Sequence, residues 1–213
     1  MELELSAVIG FTGTVSQGLV LHPDNEHLIF PLGSTIVIRH IVSRTQSFLR
    51  GHDQRISCIT VSRSGTYIAS GQQTHMGFQA EVIIWDFATK QPFQKMKLHK
   101  VLIQSLSFSP SEEYLASLGG QDDNMLIVWD VATGKGLCGS SVGHEPANQV
   151  RFFNSSNNNM ITVQNLNVKI WHADYSAKKL NNTAVNLGNL KRHIMNVVIH
   201  PTDVYAYVGT RTG

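Results

Sequence analysis

A chain of 213 residues with 42% hydrophobic and 15% charged residues is long enough to bury a sizeable core and too apolar to stay disordered. Seventeen Lys+Arg against fifteen Asp+Glu leave a formal net charge of +2, a balance that speaks against nucleic acid as a partner held by the whole surface. No apolar run approaches the roughly 18–20 residues of a membrane span, and the start, MELELSAVIG, is acidic where a signal peptide is basic. The expectation is a soluble chain inside the cell with no membrane partner, in which Cys58 and Cys138 are plain buried or half-buried thiols and the two N-x-S/T sequons carry no glycan.

Leu5 to Phe11, LSAVIGF, reads as a leading strand without a unit of its own, of the kind that closes a ring. Residues 18–50 follow as a degenerate unit, with GLVLHP, HLIFPLG, TIVIRHI and TQSFLR in four strand positions. Residues 57–97 form the reference unit: SCITVSR, YIASGQQ, an inserted THMGFQA from Thr74 to Ala80, EVIIWDF and QPFQKMK, each alternating apolar with polar and closed by turn residues. Residues 104–141 align with it piece by piece, Tyr114-Leu115-Ala116-Ser117 against Tyr67-Ile68-Ala69-Ser70. Residues 148–188 form a looser unit with a divergent tail from Asp174, and residues 196–213 supply two strands of a fifth.

The tryptophans of EVIIWDF, MLIVWDV and NVKIWHA fall at 85, 129 and 171, 44 and 42 residues apart. A period of about 40–45 residues ending on a WD dipeptide marks a four-stranded propeller blade. The predicted fold is therefore all-β, a WD-repeat β-propeller in an incomplete ring of about four and a half blades. Because a half-built blade leaves unpaired edges, the stretch is expected to be the N-terminal part of a longer propeller.

Each tryptophan unit is expected to carry a buried polar chain: a histidine ahead of the first strand, an aspartate in the hairpin before the third, a serine or threonine on the second, and the indole N–H. The full set is His99, Ser117, Asp123 and Trp129. One unit has His52, Ser70 and Trp85 with Gln79 in the aspartate's place; another has His144, Thr162 and Trp171 with Asn165 there. A hydrolase triad of His, Ser and Asp is the competing reading, but a nucleophilic serine must be exposed and singular, whereas this set recurs once per unit.

The ten histidines show no HExxH or similar metal spacing, and no Walker loop or GxGxxG is present, so neither metal nor cofactor is expected. His22 and His200, each before a proline, read as exposed; Gly119-Gly120 as a strand-end turn; Asn154 to Asn159 as a plain polar hairpin tip. Lys178-Lys179 and Lys191-Arg192-His193 read as solvated faces. Met76 and Phe78 in the insertion lack partners in the repeat pattern and are the candidate partner contact, the alternative being that Phe78 tucks onto its own blade.

The runs AVIGF, HPDNEH, PLG, FLRGH, SRSGTYIASGQQTHMGF and SLGGQDDN resemble the N-terminal region of the cilia- and flagella-associated WD-repeat proteins of axonemal doublet microtubules. The resemblance covers nearly the whole chain and is weakest over Asn154 to Leu187. It implies two consecutive propellers and a non-enzymatic role in the microtubule lumen of a cilium or flagellum, with tubulin and other microtubule inner proteins as partners. The echinoderm-microtubule-associated-like proteins share tandem propellers and a long hairpin. A general adaptor, such as a ubiquitin-ligase receptor or trafficking scaffold, is the alternative, because fold alone does not set function.

Overall fold

The computed structural model describes residues 5–189 and 192–213, and among them it contains strands and no helix. Four meandering antiparallel sheets follow one another: β1 (Val20–Leu21), β2 (His27–Leu32), β3 (Thr35–His40) and β4 (Gln46–Arg50); β5 (Ile56–Val61), β6 (Tyr67–Gln72), β7 (Gln79–Asp86) and β8 (Pro92–Lys100); β9 (Ile103–Phe108), β10 (Tyr114–Gly119), β11 (Met125–Asp130) and β12 (Gly136–Ser141); β13 (Ala147–Phe152), β14 (Asn159–Gln164), β15 (Val168–Asp174) and β16 (Lys179–Ala184). A pair, β17 (Ile194–Ile199) and β18 (Ala206–Thr210), completes the series. The architecture is an incomplete all-β propeller.

Strand periodicity explains why sheets must stack. Side chains alternate between the two faces of a strand, and both faces of β7 are buried: Ile83 and Trp85 pack with Ile29, Ile36 and Leu49 of the first sheet, while Val82 and Ile84 pack with Ile103, Leu115 and Trp129 of the third. The same division recurs at the next two seams, where Leu126 and Val128 meet Met160 and Trp171, and Val163 and Val168 meet Ile194 and Val197. A single unit would expose one such face, which is why the repeat cannot stand alone.

Strands β5, β9, β13 and β17 lie next to one another in turn, as the inner strand of each sheet. Polar side chains tie them across the seams: Ser57 Oγ donates to the Ile103 carbonyl at 2.7 Å, Asn148 Nδ2 to the Ile194 carbonyl at 2.6 Å, and Gln149 Oε1 accepts from the Val197 N–H at 2.6 Å. The first turn of each sheet also grips its neighbour. Asn154 and Ser155 both donate, from backbone and side chain, to the Asp203 carboxylate, so the segment predicted to be a plain hairpin tip is a clasp onto the next sheet. Burial opposes ionisation of Asp203, but the donors from Ser155 and Asn154 outweigh it and hold the carboxyl down to about 2.

Two further expectations need correcting, and a third gains detail. Residues 5–11 form no strand: one amide, Gln46, substitutes for a ladder by accepting from the Val8 N–H at 2.8 Å and donating to its carbonyl at 2.9 Å, and Phe11 then meets Phe30 edge to face. The divergent tail from Asp174 contains the regular strand β16, paired to β15 from Lys169↔Ala184 to Asp174↔Lys179. Its pattern is weak because an outermost strand faces water, and only Leu180 is buried. The insertion is shorter than Thr74 to Ala80, since Gln79 and Ala80 belong to β7. Lys178, Lys179, Arg192 and His193 are exposed, and Lys191 lies outside the described residues.

Candidate functional site

The polar chain is complete at the seam between the second and third sheets. His99, on β8 of one sheet, places Nε2 2.6 Å from Ser117 Oγ on β10 of the next and Nδ1 2.9 Å from Asp123 Oδ2; the Trp129 indole donates to Ser117 Oγ at 2.7 Å. A neutral ring with its proton on Nδ1 satisfies every member, since the Ser117 hydroxyl then donates to Nε2 and accepts from Trp129. Burial works against ionisation of Asp123, yet the His99 ring and the N–H groups of Lys100 and Met125 outweigh it and hold the carboxyl below its usual value.

Gly119 ends β10 rather than forming a turn beyond it. A Cβ there would lie 1.8 Å from Asp123 Oδ1 and 2.7 Å from His99 Nδ1, so its missing side chain is the space the aspartate occupies.

The second sheet solves the same problem differently. His52 sets Nε2 2.7 Å from Ser70 Oγ, and the Trp85 indole donates to that oxygen at 2.8 Å, but His52 Nδ1 donates to Gln72 Oε1 at 2.9 Å. Gln79, expected in the aspartate's place, is exposed on β7 opposite Lys100. Gln72 stands two residues after Ser70 and so shares its face of the strand; that spacing was the available signal.

In the fourth sheet the chain is broken. Trp171 still donates to Thr162 Oγ1 at 2.8 Å, but His144 is exposed, and buried Gln164 donates instead to the carbonyls of Val142 and Glu145. Asn165 is drawn to Asn148, outside the chain. The reason is loop length. His52 and His99 precede the residues that pair with Gln72 and Gly119, Ile56 and Ile103, by four positions, whereas His144 precedes Ala147, the partner of Gln164, by three.

Ser70 and Ser117 are fully buried with their hydroxyls engaged, which gives neither a nucleophile's access to a substrate. The aspartates of the WD dipeptides close the next turn: Asp86 Oδ1 accepts from the N–H and hydroxyl of Thr89, and Asp130 Oδ1 does the same with Thr133. These bonds lower the Asp86 carboxyl below its usual value. Burial pushes the thiol of Cys58 up to about 12 and that of Cys138 up to about 11, so both are inert.

Burial also holds the His52 ring down to about 4, against the opposing bond to Gln72; Lys95 adds to the depression and Asp53 resists it. Between about pH 6.5 and 4 the unfolded chain takes up a proton that the folded ring refuses, so stability rises with pH through that window and falls on acidification, by on the order of 3 kcal/mol in full. Urea midpoints followed from pH 7 to 4 should show this slope in the wild type and lose it in His52→Asn. Parallel slopes in the two proteins would contradict it.

The candidate contact surface is the hairpin tip that lies beside Lys100, Val101 and Asp122. Met76 and Phe78 are 81% and 65% exposed, so Phe78 does not tuck onto its own sheet. The base of their loop is pinned: the Thr74 N–H donates to the Val101 carbonyl at 2.6 Å and the Val101 N–H to the Phe78 carbonyl at 3.1 Å. Val101 itself is held at φ 60°, a conformation costly for a β-branched residue and kept only where its surroundings impose it.

Comparison with known proteins fits this geometry. The family model described as "WD domain, G-beta repeat" matches residues 43–86 and 90–130. Each match spans the outer strand of one sheet and three strands of the next, β4 to β7 and then β8 to β11. The chain is 51% identical over 212 residues to "Cilia- and flagella-associated protein 52" of Chlamydomonas reinhardtii, covering 99% of this chain and 34% of the relative. It is 43% identical over 217 residues to the Homo sapiens protein of that name, covering 100% of this chain and 35% of the relative. "WD repeat-containing protein 90" of Mus musculus is 29% identical over 170 residues, 79% of this chain and 9% of the relative. The chain thus spans about a third of the length of the curated relatives it matches along its whole extent. On that homology and its WD repeats, the chain belongs to the cilia- and flagella-associated WD-repeat family.

Proposed function

We propose that this chain is a non-enzymatic structural protein of the ciliary or flagellar axoneme, holding tubulin inside doublet microtubules together with other luminal proteins and stabilising them for beating. Homology over the whole chain to proteins named for cilia and flagella supports the location. The observation that carries the contact is the pinned loop with Met76 and Phe78 at its tip. Apolar side chains exposed on a fixed base bind with little ordering cost. The exposed Val198 of β17, Tyr207 of β18 and Tyr205 just ahead of β18 are read as the surface on which a further sheet of a larger propeller packs.

Cells lacking the protein should yield doublets missing a luminal density in cryo-electron microscopy, restored by the wild type. The M76S/F78S variant should melt as the wild type does and fail to restore the density. Doublets unchanged by the deletion would refute the assignment, and ligase or coat subunits co-purifying from ciliated and non-ciliated cells alike would favour a general adaptor.

A further inference from the structure

The first turn of each sheet is built on one template. In the second and third sheets Ser62 and Ser109 Oγ accept from the N–H of Tyr67 and Tyr114, at 3.1 Å each, and Ser64 and Ser111 close the turn with their hydroxyls. The first sheet carries His22, Asp24 and His27 in the places of Ser62, Ser64 and Tyr67. Since hydroxyls suffice elsewhere, the turn alone does not require two imidazoles and a carboxylate.

Their geometry is specific. His22 is 5% exposed, stacked on Phe87 with ring centroids 3.8 Å apart, not exposed as its place before a proline predicted. Its Nε2 lies 2.9 Å from the Gly65 carbonyl, which only accepts, so Nε2 carries the proton. In the neutral ring Nδ1 is then a lone pair, and it faces Asp24 Oδ2 at 2.9 Å, a second acceptor; the Asp24 N–H at 3.3 Å is a weak donor to it. Two acceptors this close at a buried atom call for a cation between them. The other Asp24 oxygen is already committed, Oδ1 accepting from the N–H groups of Glu26 at 2.8 Å and His27 at 3.1 Å. Oδ2 is left for the rings, with His27 Nδ1 at 2.7 Å.

We propose that His22 Nδ1, His27 Nδ1 and Asp24 Oδ2 form a binding site for one divalent transition-metal ion of the zinc class. The three ligand atoms lie within 4.8 Å of one another. Two imidazoles and one carboxylate suit zinc-like ions rather than calcium or magnesium, which take oxygen ligands, and three protein ligands leave a fourth position for water. Zinc bonds of about 2.0–2.1 Å in tetrahedral array set ligand atoms about 3.3 Å apart. The present contacts must therefore open by about half an ångström, which the partly exposed side chains of Asp24 and His27 allow. The Gly65 carbonyl orients His22 from behind, as outer partners do for metal-bound histidines. Glu26 and His40, 3.7 Å apart, flank the site, with the His40 ring 5.0 Å from that of His27. Because Gly65 belongs to the second sheet, the ion would tie the first sheet to it.

The test uses the full chain, stripped of metal with a chelator and titrated with zinc chloride by calorimetry, with bound zinc counted by mass spectrometry. One zinc per chain is expected, bound at least tenfold more weakly by His27→Ala and Asp24→Asn, with the wild-type melting temperature raised by zinc and that of His27→Ala unchanged. Equal uptake by the wild type and both variants would place the metal elsewhere and overturn the proposal. So would absent uptake together with nitrogen-15 spectra showing His22 doubly protonated, which would identify the cation as a proton.

Discussion

Trp129→Ala is expected to lose roughly 3–5 kcal/mol, a large part of the about 5–15 kcal/mol that a domain holds in reserve. The side chain is buried against Val82, Ile84 and Met96 of the neighbouring sheet as well as Leu106 and Leu115 of its own, so a cavity there loosens a seam and not a single sheet. The substitution also removes the indole donor from Ser117. Trp129→Phe separates the two effects, keeping most of the apolar area and losing the donor, and should cost about 1–2 kcal/mol. Urea unfolding followed by far-ultraviolet dichroism measures both. A Trp129→Ala protein that melts cooperatively at the wild-type midpoint would contradict the assignment of this residue to the core.

Gly119→Ala is expected to cost about 3 kcal/mol, because the added methyl takes the position of the Asp123 carboxylate and breaks its bonds to His99 and to the Lys100 and Met125 N–H groups. The neighbouring sheet supplies the control. Gln72 shows that an amide at the corresponding position can serve the histidine from the strand itself. The double variant G119Q/D123A should therefore recover at least half of the stability that G119Q loses alone. If G119Q and G119Q/D123A prove equally unstable, the two positions are not alternative solutions to one packing problem.

How much of this could be read in the sequence divides along physical lines. The seams were legible, since burial on both faces gives runs such as Glu81 to Trp85 and the tryptophan recurs at nearly constant spacing. The histidine, serine and indole of two chains followed from the same repetition. Asp123 was legible as the second partner of His99; what escaped was the second partner of His52, because a glutamine two residues after Ser70 fills the place that an aspartate from a hairpin, six residues after Ser117, fills in the next sheet. His144 failed through a loop one residue short, and Leu5 to Phe11 through the lack of a ladder partner, which alternation cannot reveal. The turn of His22, Asp24 and His27 escaped for a related reason: its spacing matches no familiar ligand pattern, and the Gly65 carbonyl that fixes the ring lies 43 residues away.

The matches to the family model begin on the outer strand of one sheet and end on the third strand of the next, so the unit that recurs in the gene is offset by one strand from the unit that folds. Copying or deleting one such segment during evolution would hand an outer strand to the sheet before it and take one from the sheet after, leaving every sheet four-stranded. Propellers of different size can then arise by simple duplication without passing through an ancestor that has a ragged sheet. His52 and His99 each lie inside a matched segment together with the serine and indole they serve, so a blade copied from either would arrive already carrying its polar chain.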